Sequence, residues 1–239
     1  MARTPEAARP PTTEAAGPTS IRLVAGLGNP EPRYSGTRHN AGQMVVDLLA
    51  RRLGVARFTS KYGGRFADVR GPSGPVALLV PQTFMNASGD AVGPAAGALH
   101  AAPERVLVVH DELDLPFGAV RGKVGGGHGG HNGLRSVSAR LGGGGYARVR
   151  LGIGRPPADF RGDPADWVLM RFTEPREEVD AMVARAADMV ELAVAEGMDA
   201  AIERFHASEP GERARRRAER RAATAAEAGP AETDAGDGA

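Results

Sequence analysis

Apolar and polar residues alternate along most of the chain in two different periods. Short apolar runs that end in glycine, proline or charged residues predict strands at 21–28, 65–71, 75–81, 105–114, 119–124 and 148–154. Segments of helical composition lie at 42–54, 88–100 and 132–141. The last helix has the clearest helical period, with apolar residues at Val179, Met182, Val183, Ala186, Val190, Ala193 and Val194. Thr173 is predicted to cap its start.

This alternation predicts one α/β domain over residues 20–207, with a twisted, mostly parallel or mixed sheet and helices on both faces. Residues 1–19 are rich in Ala, Pro and Thr and are predicted to be a disordered extension. Residues 208–239 are predicted to be a flexible tail, Arg-rich at first and acidic at its end. The Arg-rich part is interpreted as a solvated helical extension, and an accessory contact to RNA is the alternative.

Polar residues concentrate where four of the predicted strands end. Ligands of α/β sheets bind beyond the carboxyl ends of the strands, so these four loops form the predicted site. In chain order the loops contain Asn29, Tyr34, His39 and Asn40, then Met85 and Asn86, then Asp111, and finally His128, His131 and Asn132.

The composition excludes several classes of site. The 239 residues include no cysteine, which excludes disulfides, thiolate metal sites and a cysteine nucleophile. No secretory segment and no run of about 18 apolar residues is present, so we expect a cytoplasmic protein without a membrane partner. The net charge is +1, and all basic residues except Lys61 and Lys123 are arginine. A GC-rich genome accounts for that bias, so charge alone does not identify a nucleic-acid partner.

The candidate residues suit the hydrolysis of an ester. His39 beside a carboxylate such as Asp111 is a natural general base, because its unperturbed pKa of about 6.5 lies near neutral pH. Asparagine side chains can stabilise an oxyanion or bind a substrate amide. No serine occupies a G-x-S-x-G turn, so a covalent intermediate is unsupported and attack by water on an activated carbonyl remains. Taken singly, Asn29 could form a turn, Asn132 could cap a helix and Met85 could fill the core.

The segment VGGGHGGHNGLRS at 124–136 has three interpretations. Its glycines at 125, 127 and 130 satisfy G-x-G-x-x-G, but a dinucleotide site needs an acid about 20 residues later. The next acid is Asp159, in a proline-rich turn, so that interpretation fails. A metal site would use His128 and His131 with His110 or Asp111, and we expect none. The segment is therefore predicted to be a flexible gate that delivers Asn132 to the site.

Five motifs in one order, between residues 21 and 206, together resemble the bacterial peptidyl-tRNA hydrolases. They are GLGNP with YSGTRHNAG, PQTFMNASG, HDELDLPFGAVRGK, GGGHGGHNGLRS and RVRLGIGRP. The resemblance implies a monomeric α/β enzyme that cleaves the ester between a nascent peptide and the terminal ribose of tRNA. It also implies that the enzyme needs neither metal nor cofactor.

The resemblance further implies a role for each matching residue. His39 matches the catalytic base and Asp111 the carboxylate that orients it. Asn29, Asn86 and Asn132 match side chains that hold the attacking water, the peptide backbone and the oxyanion, and their individual roles stay open. Tyr34 and Met85 match substrate-site residues. The predicted contacts to tRNA phosphates are Lys123 and Arg150, with Arg121 and Arg148 nearby.

One position departs from the family pattern, because this chain has Glu31 where glycine is usual. A positive φ there would strain a glutamate. Two other functions are compatible with the scaffold. A non-catalytic RNA-binding protein would not need His39, Asp111 and three asparagines, and an esterase acting on another small substrate would not need Lys123 and Arg150.

Overall fold

Four parallel strands form the centre of a seven-stranded sheet in the computed structural model, which describes residues 20–207. The strands are β1 Leu23–Gly26, β2 Thr59–Lys61, β3 Gly64–Gly71, β4 Gly74–Pro81, β5 Val106–Glu112, β6 Val120–Val124 and β7 Ala147–Gly152. Their order is β2-β3-β4-β1-β5-β7-β6, in which β4, β1, β5 and β7 are parallel. The β2–β3, β3–β4 and β6–β7 pairs are antiparallel, so the predicted mixed sheet is confirmed.

Helices cover both faces of this sheet, as predicted. They are α1 Ala41–Arg52, α2 Gly89–Ala98, α3 Asn132–Leu141, α4 Pro164–Leu169, α5 Arg176–Glu196 and α6 Met198–Ala207. One apolar core lies between the sheet and α1, α5 and α6, and a second lies between the sheet and α2 and α3. The apolar stripe predicted on α5 faces the first core, with Ala186 and Ala193 fully buried. Each buried valine or methionine in it stabilises the fold by about 1.5–3 kcal/mol.

Several features differ from the sequence-based expectations. The elements β2, α4 and α6 were not predicted. β2 and α4 have only three and six residues, too few for a period to show, and α6 is separated from α5 by Gly197 alone. The predicted cap by Thr173 is wrong. Pro175 is the N-cap of α5, and the Thr173 hydroxyl accepts a hydrogen bond from Arg38 at 3.3 Å. The predicted extensions at 1–19 and 208–239 lie outside the described residues.

The most consequential difference concerns the direction of β6. Because β6 is antiparallel to β7, its last residue, Val124, pairs with Ala147, the first residue of β7. The glycine-rich segment that follows β6 therefore starts at the amino edge of the parallel strands, not at the predicted carboxyl edge. Residues 125–131, which we call the glycine loop, cross to the opposite edge before α3 begins at Asn132. Gly125, Gly126, Gly129 and Gly130 all have positive φ, which explains the composition of this crossing.

Within residues 20–207, no helix combines the length and the apolarity that a membrane span requires.

Candidate active site

A cavity of about 700 Å³ opens at the carboxyl edge of the parallel strands. The seven residues predicted for catalysis and substrate binding all line it, namely Asn29, Tyr34, His39, Met85, Asn86, Asp111 and Asn132. They come from the loops after β1, β4 and β5 and from the start of α3. The structure therefore brings together every one of these residues, although they span about a hundred positions of the chain.

His39 is placed by the close approach of α1 to the sheet. It lies in the 3-10 turn Arg38–Asn40, which leads directly into α1. A Cβ on Gly42 would lie 2.1 Å from the carbonyl oxygen of Val109, so only glycine permits this approach. The Gln43 amide also donates to the Leu27 carbonyl at 2.9 Å. The first turn of α1 is thereby fixed against β1 and β5, and His39 with it.

Asp111, the penultimate residue of β5, accepts hydrogen bonds from two histidines. His39 Nδ1 lies 2.9 Å from Asp111 Oδ1 and 3.0 Å from Oδ2. His131 Nε2 lies 3.0 Å from Oδ1. Asp111 is 2 % exposed and His39 8 % exposed, so water screens the pair weakly. Within residues 20–207 no hydrogen bond involves His39 Nε2, which leaves that nitrogen available to a ligand in the cavity.

His131 is a site residue whose role the sequence did not reveal. It is the N-cap of α3, where its Nδ1 accepts from the backbone amides of Gly133 at 3.1 Å and Leu134 at 3.3 Å. An Nδ1 that accepts two amides carries no proton, so Nε2 carries it and donates to Asp111. The expected alternative role of Asn132 as helix cap is therefore wrong. A histidine followed by Asn-Gly before a helical segment is a weak sequence signal for this arrangement.

The cluster perturbs the pKa of three groups. Burial would raise the pKa of Asp111, but attraction to His39 and His131 and the hydrogen bonds from both hold it well below its usual range. Burial would lower the pKa of His39, yet the charge of Asp111 and the bond to it leave this pKa above the usual 6.5. Burial, together with the nearby His131, lowers the pKa of His110 to about 3, so His110 is neutral and packs beside His131.

Asn29 has its acceptor occupied and its donor available. Its Oδ1 accepts the backbone amide of Met85 at 2.8 Å, which also ties the second loop to the first. Asn40 fixes Asn29 from the other side, because its Oδ1 accepts the Asn29 amide at 2.8 Å and its Nδ2 donates to the Asn29 carbonyl at 3.0 Å. Backbone amides only donate, so these amide orientations are determined. Asn29 thus offers only its Nδ2 donor to the cavity.

Asn132 and Asn86 differ in the hydrogen-bonding groups that they can present to a ligand. Asn132 Oδ1 accepts from Arg135 Nη1 at 3.1 Å, and since guanidinium only donates, Asn132 Nδ2 is the group left for a ligand. Asn86 is exposed in the turn Met85–Ala87 and can present both its donor and its acceptor. Met85 is 4 % exposed and belongs to the second core, so it both fills that core and lines the cavity.

The outer wall of the cavity includes α4, which the sequence did not predict. Arg38, next to His39, is fully buried and holds this wall. Its guanidinium lies 3.8 Å from the Trp167 ring centroid, pairs with Glu174 at 3.0 Å and donates to the Arg171 carbonyl. Further wall residues are Phe84, Leu113, Val168 and Leu169. Phe84 is 48 % exposed, which indicates an apolar rim open to a ligand.

Four basic residues lie together on the face of β6 and β7 that is turned away from α5 and α6, which we call the cationic face. Arg121 pairs in register with Arg150, and Lys123 with Arg148, so all four side chains share one side of the sheet. Gly122, between them, faces Met189 and Met198 of the opposite core. The predicted phosphate contacts are thereby brought together, one strand away from His110 and Asp111.

The backbone at Glu31 is unstrained. Its φ is −72° and its ψ is 144°, values that any residue adopts. The carboxylate pairs with Arg33 at 2.7 Å, and the Arg33 guanidinium lies 4.8 Å from the Tyr34 ring centroid. The anticipated strain is therefore absent, and the negative charge of Glu31 has a neighbouring cation.

The geometry of the glycine loop does not suit a dinucleotide site or a metal site. A dinucleotide fold needs parallel strands around the helix, but β6 and β7 are antiparallel and His131 occupies the first amides of α3. For a metal, the ligand atoms of His39, Asp111 and His131 lie within 4.8 Å of one another. An ion there would have to displace the protons that both histidines donate to Asp111. His128, expected in such a site, instead accepts the Gly130 amide at 3.1 Å.

Comparison with known proteins gives a consistent result. Residues 23–213 match the family model described as peptidyl-tRNA hydrolase. A peptidyl-tRNA hydrolase of Frankia casuarinae is 52% identical over 186 residues, which cover 77% of this chain and 93% of that protein. The corresponding protein of Mycolicibacterium smegmatis is 49% identical over 187 residues, covering 77% and 97%.

The fold is also similar to that of a solved peptidyl-tRNA hydrolase. The crystal structure of peptidyl-tRNA hydrolase from Acinetobacter baumannii superposes with a TM-score of 0.71 at 36% identity. The match covers 80% of this chain and 97% of that one. The family model spans most of the chain and includes all four site loops, so this protein belongs to the peptidyl-tRNA hydrolase family.

Proposed function

We propose that this protein hydrolyses the ester bond that joins a peptide to tRNA, and so releases free tRNA and peptide. The observation that carries the proposal is the buried His39–Asp111 pair, at 2.9 Å, in a cavity that adjoins the cationic face. The pair supplies a base for water, and the cationic face supplies contacts for a polyanion. The monomeric state is taken from the family resemblance and the cytoplasmic location from the sequence-based expectation, and both belong to the proposal.

His39 acts as the general base in this mechanism. Asp111 accepts the Nδ1 proton and so fixes the tautomer in which Nε2 has a free lone pair. Nε2 removes a proton from water while the water oxygen bonds to the ester carbonyl carbon. The same proton then passes to the ribose oxygen as its bond to the carbonyl carbon breaks. No covalent enzyme intermediate forms.

The unoccupied amide groups suggest how the three asparagines divide their roles. Asn29 and Asn132 each retain an Nδ2 donor after their oxygens are used, and a donor suits the oxyanion or the ester carbonyl. Asn86 retains both a donor and an acceptor, which suits the amide of a peptide bond. Tyr34 and the apolar rim around Phe84 would contact the peptide and the terminal nucleoside.

We assign the phosphate contacts to Lys123 and Arg150, with Arg121 beside them. Lys123 is exposed, and the side chain of Arg150 is 23% exposed, 3.8 Å from Glu112. Such contacts position the tRNA without reading its sequence, which suits an enzyme that accepts many tRNAs. The glycine loop, as the predicted gate, would admit the acyl end while the cationic face holds the tRNA body.

The test compares N-acetyl-aminoacyl-tRNA with the same aminoacyl-tRNA bearing a free α-amine. We expect cleavage of the acetylated substrate alone, because Asn86 is assigned to bind the amide of a peptide bond. The acetylated substrate has such an amide, and the substrate with a free α-amine does not. A His39→Ala preparation, purified in parallel, measures contaminating activity. Equal cleavage of both substrates would mean a general tRNA esterase, and tight tRNA binding without cleavage would mean an RNA-binding protein.

A further inference from the structure

Arg148 differs from the other residues of the cationic face in its surroundings. It is 2 % exposed, and both terminal nitrogens already donate to backbone carbonyls. Nη1 donates to Gly127 at 2.6 Å and Nη2 donates to Gly126, both in the first half of the glycine loop. A phosphate could reach this guanidinium only by displacing the loop. The local geometry therefore favours a role toward the loop over a role toward tRNA.

A second set of contacts ties Arg148 to the far end of the same loop. Its guanidinium lies 4.6 Å from the centroid of the Tyr146 ring. Tyr146 is fully buried, and its hydroxyl donates to the Leu134 carbonyl at 3.2 Å and lies 3.0 Å from Ser138 Oγ. Leu134 belongs to the first turn of α3, whose amides His131 caps. Arg148 thus contacts the beginning of the loop directly and the helix after it through Tyr146.

The glycine loop depends on such anchors because its own sequence gives it little rigidity. Four of its residues adopt positive φ, and a glycine backbone has more conformational freedom to lose on ordering than any other. The loop ends in His131, which donates to Asp111, and is followed by Asn132, which lines the cavity. A shift of the loop would move both groups at the reacting centre.

We infer that Arg148 is a positioning residue: it anchors the glycine loop and thereby holds His131 and Asn132 in their active arrangement. The kinetic part of this inference rests on the proposed function. A displacement of about 1 Å at a reacting centre can cost roughly 100-fold in rate. The loss of this anchor should therefore lower kcat, whereas loss of a phosphate contact should raise KM.

The kinetic experiment uses two substrates that carry the same acyl group. One is N-acetyl-aminoacyl-tRNA and the other is the N-acetyl-aminoacyl ester of the trinucleotide CCA, which lacks the tRNA body. Arg148→Met keeps the side-chain length but removes the donors, and Lys123→Met is the matched control on the same face. We expect Arg148→Met to lower kcat about 10- to 100-fold, by the same factor on both substrates. Lys123→Met should raise KM on the tRNA substrate alone.

A loss for Arg148→Met that is confined to KM on the tRNA substrate would overturn the inference and make Arg148 a phosphate contact. An unchanged kcat on both substrates would overturn it equally.

Hydrogen exchange tests the anchoring role without an activity assay. It uses Arg148→Lys, a milder change than Arg148→Met. Arg148→Lys retains the charge but can occupy both carbonyls only weakly, so the amides of Gly133 and Leu134 should exchange faster than in the wild type. Amides within α5 should be unchanged. Equal acceleration in α5 would indicate a general loss of stability and would contradict local anchoring. If the wild type cleaves neither substrate, the proposed function fails, while the exchange experiment still decides the role of Arg148.

Discussion

The cluster of His39, Asp111 and His131 and the cationic face lie on neighbouring parts of the sheet and are built in opposite ways. In the cluster, Asp111 is buried and accepts from two imidazoles, and each of those is fixed by its own helix or turn. On the cationic face, Lys123 is exposed and Arg150 pairs with Glu112 at the long distance of 3.8 Å. The first region is buried with its polar groups largely paired, whereas the second includes the exposed charge of Lys123.

This difference suits the two roles proposed for these regions. A general base needs a defined tautomer. The hydrogen bond to Asp111 fixes the tautomer of His39, and burial would lower the His39 pKa, but the charge of Asp111 and the bond to it leave that pKa raised. Phosphate recognition requires mobile charges that remain accessible, because solvated cations pay little to exchange water for phosphate. Arg148 combines features of both regions: it lies on the cationic face, but it is as buried as Asp111.

The largest effect should follow from His39→Ala. Removal of the general base is expected to lower kcat by about 1,000-fold, because water then has no group to accept its proton. The affinity for tRNA should not change, since the cationic face is intact. Steady-state kinetics with N-acetyl-aminoacyl-tRNA, combined with tRNA binding by filter retention, measures both quantities. Retention of more than a tenth of the activity would exclude His39 as the base.

Asp111→Asn should have the next largest effect and should also move the pH profile. We expect kcat to fall roughly 100-fold, because the tautomer and orientation of His39 are no longer fixed. In the wild type, Asp111 raises the pKa of His39, and the base is active only above that pKa. Without the carboxylate, burial lowers this pKa, so the rise of kcat should move to lower pH. A shift to higher pH would contradict the assigned charge on Asp111.

The double variant Lys123→Met and Arg150→Met tests the role of the cationic face. Each charged contact is worth about 1.5 kcal/mol, so the loss of both should raise KM for peptidyl-tRNA about 100-fold while kcat is preserved. The dependence of KM on salt should also become shallower, since fewer counterions are released. Kinetics at several salt concentrations measure both changes. A fall in kcat with unchanged KM would show that the two regions are not separable.

Glu31→Gly should have the smallest effect. Because Glu31 has φ −72°, the glycine usual in the family offers no relief of strain. We expect the free energy of unfolding to fall by about 0.4–1 kcal/mol, because glycine gives the unfolded chain more conformational freedom, and kcat/KM to change by less than about twofold. Thermal unfolding and kinetics on the variant test this. A larger gain in kcat/KM would mean that the charge of Glu31 opposes tRNA binding.

The parts of the site that follow parallel strands could be predicted from the sequence. Asn29, Asn86 and Asp111 lie just beyond runs of apolar residues, and the rule for α/β sheets brings such positions to one edge. His131 could not be assigned, because its role depends on capping α3 and on reaching Asp111 across the sheet. The sequence also did not reveal the direction of β6, since the residues of a strand do not indicate whether it lies parallel or antiparallel to its neighbour.

The sequence by itself determined the α/β class, the buried stripe of α5 and which residue types could perform ester hydrolysis. These follow from local periodicity and side-chain chemistry, which are properties of short segments. The tertiary structure alone decided that Arg148 is buried under the glycine loop while Lys123 remains exposed. Both are cations in register on neighbouring strands, and only the path of the chain above them buries one and leaves the other exposed.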